Sequence, residues 1–217
     1  MRQSTPNPED QPIRVGYVED HDAVRKSIET MLGRRGCVVT ASAATAADGY
    51  AAMEASPPDV AIVDINLPDE PGGVLVRRLL ARHPDLKVLI YTGAQDETML
   101  RDALDTGARG FALKAGSLHE LREAIGAIAR GDTYMDPRLR STFLGRRTTA
   151  TIAALTPRER EILDLLARGH TGEEAAKVLF LSPETIRVHV RNAMRKLGAG
   201  TRVHAVVLAL QQGEIDV

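Results

Sequence analysis

The chain has 217 residues, 43% of them apolar and only 3% aromatic, with 28 Lys and Arg against 29 Asp and Glu. That length allows two domains with cores of Ala, Val, Ile and Leu. No apolar run approaches the ~20 residues of a membrane-spanning helix, residues 1–12 lack the apolar stretch of a secretory signal, and the one cysteine, Cys37, excludes an intrachain disulfide, so a cytoplasmic protein with no membrane partner is expected.

Residues 1–11 show no apolar period and are expected to fray. From Ile13 onward apolar runs alternate with helix-like segments, the pattern of an α/β doubly wound parallel sheet. Five strands are expected to begin near Ile13, Val38, Val60, Val88 and Gly110, with helices over 23–35, 45–55, 73–82, 98–105 and 118–130. The second strand is the weakest of these, since its alanines and serine are poor strand formers. After Gly131 the alternation stops, and a stretch rich in Gly, Ser, Thr and Arg reads as a linker. Everything beyond it looks helical. Thr156-Pro157-Arg158-Glu159 forms a capping box with proline at the first helical position, residues 171–180 form a short helix, Ser182-Pro183 starts a third that runs to Leu197 before Gly198, and residues 202–212 form the last. The expected division is 12–132, a linker over 133–152, and an all-α unit over 153–217. Charge follows this division: residues 137–217 carry 13 Lys and Arg against 8 Asp and Glu, and the remainder 15 against 21. A basic rear suits a polyanion and an acidic front suits a cation.

Four polar signals stand at the ends of apolar runs: Glu19-Asp20 after IRVGYV, Asp64 after VAIV, Thr92 after VLIY, and Lys114 after GFAL. In one parallel sheet their carboxyl ends would share a crevice. There the acids would hold a hard cation such as Mg2+, and a carboxylate would carry a phosphoryl group. Each residue alone is more simply a turn or cap residue; their recurrence in chain order is what carries the reading.

Residues 13–132 resemble the receiver domain of two-component response regulators, with Leu67-Pro68, Gly72 and Gly110-Phe111 supporting the register. The resemblance implies a phosphoacceptor at Asp64, a Mg2+ site of Glu19, Asp20, Asp64 and the Asn66 carbonyl, and phosphoryl contacts from Thr92 and Lys114. It also implies a switch in which Thr92 moves toward the phosphoryl oxygen and Phe111 turns inward. The sequence departs from the family pattern at Glu19, where Asp is commonest, and at Gly93, where Ala is usual; Asn66 and Ala94 occupy positions that tune dephosphorylation in the family.

Residues from 154 onward resemble the LuxR-type helix-turn-helix domain of the NarL/FixJ class. At about 100° per residue, Ile186, Val190, Ala193 and Leu197 form a packed stripe on the third helix, and Arg187, Val188, Arg191 and Arg195 lie opposite it. The family's DNA contacts fall on Arg187, Val188 and Arg191. Arg195 follows from geometry, as a phosphate contact. His189 flanks the packed stripe and is expected in a structural hydrogen bond. The apolar face of the last helix, Val203, Val206, Val207 and Leu210, exceeds what one short helix must bury and is expected to form part of the dimer contact, with simple core as the plainer alternative. The function implied is a response regulator phosphorylated by a sensor histidine kinase and binding double-stranded promoter DNA as a homodimer on inverted or direct half-sites. One alternative is a phosphorylation-independent DNA-binding factor with a receiver-like dimerisation domain. A haloacid-dehalogenase-type phosphatase would need an acid where Asn66 stands, so no enzyme is expected.

Overall fold

The alternation of apolar runs and amphipathic segments becomes a parallel sheet in which every crossover is a helix. The computed structural model describes residues 11–33, 36–93, 97–139 and 155–216. Residues 1–10 of the expected leader, Ala94, residues 140–152 of the expected linker and 153–154 of the expected all-α unit lie outside the described residues. The front half runs β1 (Ile13–Val18), α1 (Asp22–Gly33), β2 (Cys37–Ala43), α2 (Ala46–Ala55), β3 (Val60–Val63), α3 (Gly72–Arg82), β4 (Lys87–Thr92), α4 (Glu97–Leu104), β5 (Gly110–Leu113) and α5 (Leu118–Ala129). The order across the sheet is β2-β1-β3-β4-β5-β6, all parallel.

One strand more than the expected five is present. β6 (Tyr134–Met135) comes from the start of the expected linker and pairs with the outer edge of β5, Gly110 facing Tyr134 and Phe111 facing Met135. Two residues give no periodicity to read, so only the free hydrogen-bonding groups of β5 explain the pairing. Tyr134 N–H donates to Arg109 O at 3.2 Å and Asp136 N–H to Phe111 O at 2.9 Å. The weak strand β2 does form, with a register shift that leaves Thr40 without a partner on β1.

Side chains alternate across the sheet. Val15, Tyr17, Val60, Ile62, Leu89, Tyr91 and Ala112 pack in one layer with Ile28 and Leu32 of α1 and Leu121, Ile125 and Ile128 of α5. Val18, Val63, Val88, Ile90 and Phe111 form the opposite layer with residues of α2, α3 and α4, among them Met53, Leu75, Leu79 and Leu100. Both faces are covered, which is why the strands read as continuous apolar runs.

The rear half is α6 (Pro157–Ala167), α7 (Gly172–Val178), α8 (Pro183–Leu197) and α9 (Arg202–Gln211). Capping boxes start α6 at Thr156 with Glu159 and α7 at Thr171 with Glu174. Ser182 caps α8, whose far end closes on Gly198 at φ 70°, a left-handed conformation that glycine adopts without strain. On α9, Val203, Val206, Val207 and Leu210 are at most 3% exposed and α9 packs on α6 and α8. That face is core, so it is not free to serve as the dimer contact that its apolar character allowed.

Candidate functional site

The strand order reverses between β1 and β3, and an open α/β sheet admits ligands at the carboxyl ends of such a pair. Ladder bonds running one step past the strands fix the residues there. Glu19 N–H donates to Ala43 O and Asp64 N–H to Val18 O, both at 3.0 Å, and Lys114 N–H donates to Thr92 O at 2.8 Å. The three side chains converge. Lys114 Nζ lies 2.7 Å from Asp64 Oδ2, 2.8 Å from Glu19 Oε1 and 2.7 Å from Glu19 Oε2. Glu19 is 0% and Asp64 2% exposed, so two buried carboxylates share one ammonium.

The electrostatics follow from that burial. Loss of hydration pushes the Asp64 carboxyl above its usual range, and hydrogen bonding to Lys114 offsets only part of this. Burial also opposes the charge on Lys114, but its hydrogen bonds to Asp64 and Glu19 prevail and raise its pKa. Asp20 points outward and meets His21 Nδ1 at 2.6 Å, a hydrogen bond that raises the imidazole pKa. Arg25 Nη1 donates to Glu19 O at 2.7 Å, tying the acid pair's backbone to α1.

The segment after Asp64 folds back over the crevice. Asn66 N–H donates to Asp64 Oδ1 at 3.3 Å, and Gly72 N–H donates to Ile65 O at 2.8 Å. A Cβ at residue 72 would come within 1.9 Å of the Asp64 carbonyl oxygen, so only glycine permits this approach. Thr92 (2% exposed) and Phe111 (0%) are both buried, Phe111 in the layer against α2, α3 and α4. The resemblance pictured Phe111 turning inward on phosphorylation; here its ring is already inside.

The donors around the crevice are oxygens: the carboxylates of Glu19, Asp20 and Asp64. That set fits a hard cation with several waters. Among the described residues, the one trio of ligand atoms within 4.8 Å of one another is Glu19, Asp20 and His21. His21 and Tyr17 were not singled out from the sequence. Tyr17 could have been, because it precedes Glu19 by one strand period, and its hydroxyl donates to Glu19 Oε2 at 3.1 Å.

On α8 the two faces fall as the helical period requires. Ile186, Val190, Ala193 and Leu197 are buried, and Arg187, Val188, Arg191 and Arg195 are exposed. Arg187 pairs with Glu184 at 2.8 Å and Arg195 Nη2 donates to Asn192 Oδ1 at 3.4 Å. Arg191 has no ion pair or hydrogen bond among the described residues. His189, expected in a structural hydrogen bond, makes none among the described residues, since its half-exposed ring sits beside the stripe rather than in it. Lys196 ties α8 to α6, its ammonium 2.8 Å from the buried Glu159 of the α6 capping box.

Two contacts join the halves of the chain: an ion pair of Arg202 with Asp132 at 3.6 Å and a contact of His204 Nδ1 with Asp105 Oδ1 at 3.1 Å. Asp132 also lies against the start of α7, where a Cβ at residue 172 would stand 2.9 Å from its Oδ1. Nothing in the local sequence marks these acids, because their partners lie some 70 to 100 positions further along the chain.

Comparison with known proteins agrees with this geometry. Residues 15–126 match the response regulator receiver domain and residues 153–209 match the bacterial regulatory proteins of the luxR family. The DNA-binding transcriptional activator DevR/DosR of Mycobacterium tuberculosis is 33% identical over 92% of this chain and 94% of its own length. The oxygen regulatory protein NreC of Staphylococcus carnosus is 30% identical over 94% of this chain and the whole of its own. Among solved structures, the response regulator ChrA of a heme-sensing two-component system is 30% identical, with a TM-score of 0.54 over 94% of this chain and 99% of its own. No helix among the described residues is long and apolar enough to cross a membrane. The chain belongs to the NarL/FixJ-type two-component response regulators, pairing a receiver domain with a LuxR-type DNA-binding domain.

Proposed function

We propose that Asp64 accepts a phosphoryl group from a sensor histidine kinase and that this controls how the rear domain binds promoter DNA. The observation that carries the reading is the Asp64 carboxylate, buried beside Glu19 and held by Lys114 at 2.7 Å. A carboxylate is a weak nucleophile among other acids, so the transfer depends on positioning and on neutralising charge. Asp64 Oδ attacks phosphorus as the nitrogen–phosphorus bond of the kinase phosphohistidine breaks. Lys114 turns from the free carboxylates to a phosphoryl oxygen, and Thr92 donates to another. Glu19, Asp20, Asp64 and the Asn66 carbonyl hold Mg2+, which when bound neutralises the incoming oxygens. Thr92 and Phe111 form the switch, with Phe111 sensing the Thr92 rotamer from its buried position.

In the rear domain Arg187, Val188 and Arg191 read base edges in the major groove, and Arg195 contacts phosphate. The active form is a homodimer on two half-sites in cytoplasmic DNA, with the receiver over 12–132, the linker over 133–152 and the reader over 153–217. The test is treatment with acetyl phosphate or beryllofluoride plus Mg2+, followed by intact mass, sedimentation and DNA binding. Wild type should gain the adduct, self-associate and bind promoter DNA more tightly, and Asp64→Ala should do none of these. An equal response in Asp64→Ala would refute the proposal.

A further inference from the structure

We propose that Tyr17 is the positioning residue of the acid pair, its hydroxyl holding the carboxylate of Glu19 in place for the metal. The inference rests on the proposed metal role of Glu19. Tyr17 is fully buried, and its hydroxyl lies 3.1 Å from Glu19 Oε2, the single hydrogen bond it makes among the described residues. A phenylalanine would fill the same space in the layer against α1 and α5. The hydroxyl therefore adds a desolvation cost that only the bond to Glu19 offsets.

Glu19 needs such a restraint. Its arm is one methylene longer than the aspartate common in the family, and the extra torsion must be fixed for the carboxylate to meet a cation at one point. Three donors fix it. Lys114 reaches both oxygens, His21 N–H donates to Oε1 at 3.3 Å, and Tyr17 donates to Oε2. These donors are not equivalent toward a divalent cation. The ammonium is repelled by it and is also needed at the phosphoryl group, whereas a phenol is neutral and can stay. Burial and the Glu19 charge hold the Tyr17 phenol far above its ordinary pKa, so it remains a donor at every working pH. With Tyr17 on Oε2 and only the long His21 N–H bond on Oε1, a lone pair of Oε1 is left for the metal when Lys114 departs.

The test is a double-mutant cycle in the full chain. Mg2+ binding is measured by calorimetry for wild type, Tyr17→Phe, Glu19→Asp and the double variant, with Tyr91→Phe as a control. Tyr91 lies in the same layer, its ring centroid 6.5 Å from that of Tyr17. Tyr17→Phe should weaken Mg2+ binding about tenfold, or about 1.4 kcal/mol. It should raise the Mg2+ concentration needed for half-maximal acetyl-phosphate labelling by the same factor and leave the rate at saturating Mg2+ unchanged. In the Glu19→Asp background, where the shorter arm falls short of the hydroxyl, Tyr17→Phe should change nothing. Unaltered binding in Tyr17→Phe, or equal losses in both backgrounds, would overturn the proposal, as would an equal loss in Tyr91→Phe. A wild type that binds no Mg2+ would instead overturn the metal site itself. Should Tyr17→Phe not fold, wild type carrying 13Cζ-tyrosine serves. One of its four tyrosine resonances should move with Mg2+ in wild type and not in Glu19→Asp; four unmoved resonances would overturn the assignment.

Discussion

Replacing Lys114 by methionine removes the one cation shared by two buried carboxylates while keeping most of the side-chain volume. Glu19 and Asp64 are 0% and 2% exposed and each lies within 2.8 Å of Nζ, so both lose their counter-charge. Breaking a buried pair by removing one partner costs about 3–5 kcal/mol. A fifth of the Lys114 side chain touches solvent, 21%, which favours the lower end of that range. At about 2 kcal/mol per molar of urea, a loss of about 3 kcal/mol moves the unfolding midpoint of the receiver down by about 1.5 M. The experiment is urea unfolding at neutral pH with chelator, followed by circular dichroism, then repeated along a pH series and with Mg2+. Burial raises the Asp64 carboxyl above its unfolded value and the ammonium offsets part of that, so without Lys114 the native state binds more protons between the folded and unfolded values. Stability of the variant therefore rises as pH falls through that window, and the gap to wild type narrows. Mg2+ stabilises each protein through its own binding, by about 2.7 kcal/mol at a hundredfold excess over its dissociation constant, and narrows the gap by as much as the variant, freed of the competing ammonium, binds it more tightly. A Lys114→Met protein as stable as wild type in chelator, or a gap insensitive to both pH and Mg2+, would refute the account of the crevice.

Arg195→Ala should weaken DNA binding equally for specific and unrelated sequences and reduce the slope of log affinity against log salt by about 0.9, read by fluorescence anisotropy across a salt series. An unchanged slope would exclude a phosphate contact. Glu159→Gln should destabilise the rear domain by about 2 kcal/mol, the range of a hydrogen bond to a charged group. Burial acts upward on the Glu159 carboxyl, but Lys196 and the Thr156 backbone hold its pKa below the usual range. Its contribution is thus present above the unfolded pKa of about 4.3 and is lost as pH falls through the lower folded value. Thermal unfolding of wild type and variant should converge in acid, and a constant difference would contradict the pairing. Asp105→Ala with Asp132→Asn removes both of these polar contacts between the two halves, and small-angle scattering should record a larger radius of gyration. An unaltered radius would show that these pairs do not hold the halves together.

Much of this was legible before any coordinates, for reasons that differ by element. Asp64 and Lys114 could be placed because a strand end is a sharp boundary in the sequence, and a parallel sheet carries all such boundaries to one edge. The α8 faces could be placed because a helix longer than three turns repeats its period enough to separate Ile186 and Val190 from Arg187 and Arg191. β6 could not, since Tyr134–Met135 contains one alternation and its pairing depends on an edge contributed by distant residues. The role of the α9 face was undetermined for a related reason. Apolar spacing says that Val203 and Val207 are covered but not whether the cover comes from the same chain; α6 and α8 supply it. Tyr17 is not marked in the sequence because a tyrosine within an apolar run is ordinary for a buried strand, and only the carboxylate two residues on gives its hydroxyl a role.

The short β6 has a practical meaning for how the receiver can be cut out of the protein. A fragment ending at α5 would leave the carbonyls of Arg109 and Phe111, now taken by Tyr134 and Asp136, facing water along an unprotected margin of β5. Such a margin invites strand addition by another copy. A fragment carried through Leu139 keeps its own seal, including the Asp136–Arg138 clasp at 2.7 Å, and is the better choice for studying phosphorylation in isolation.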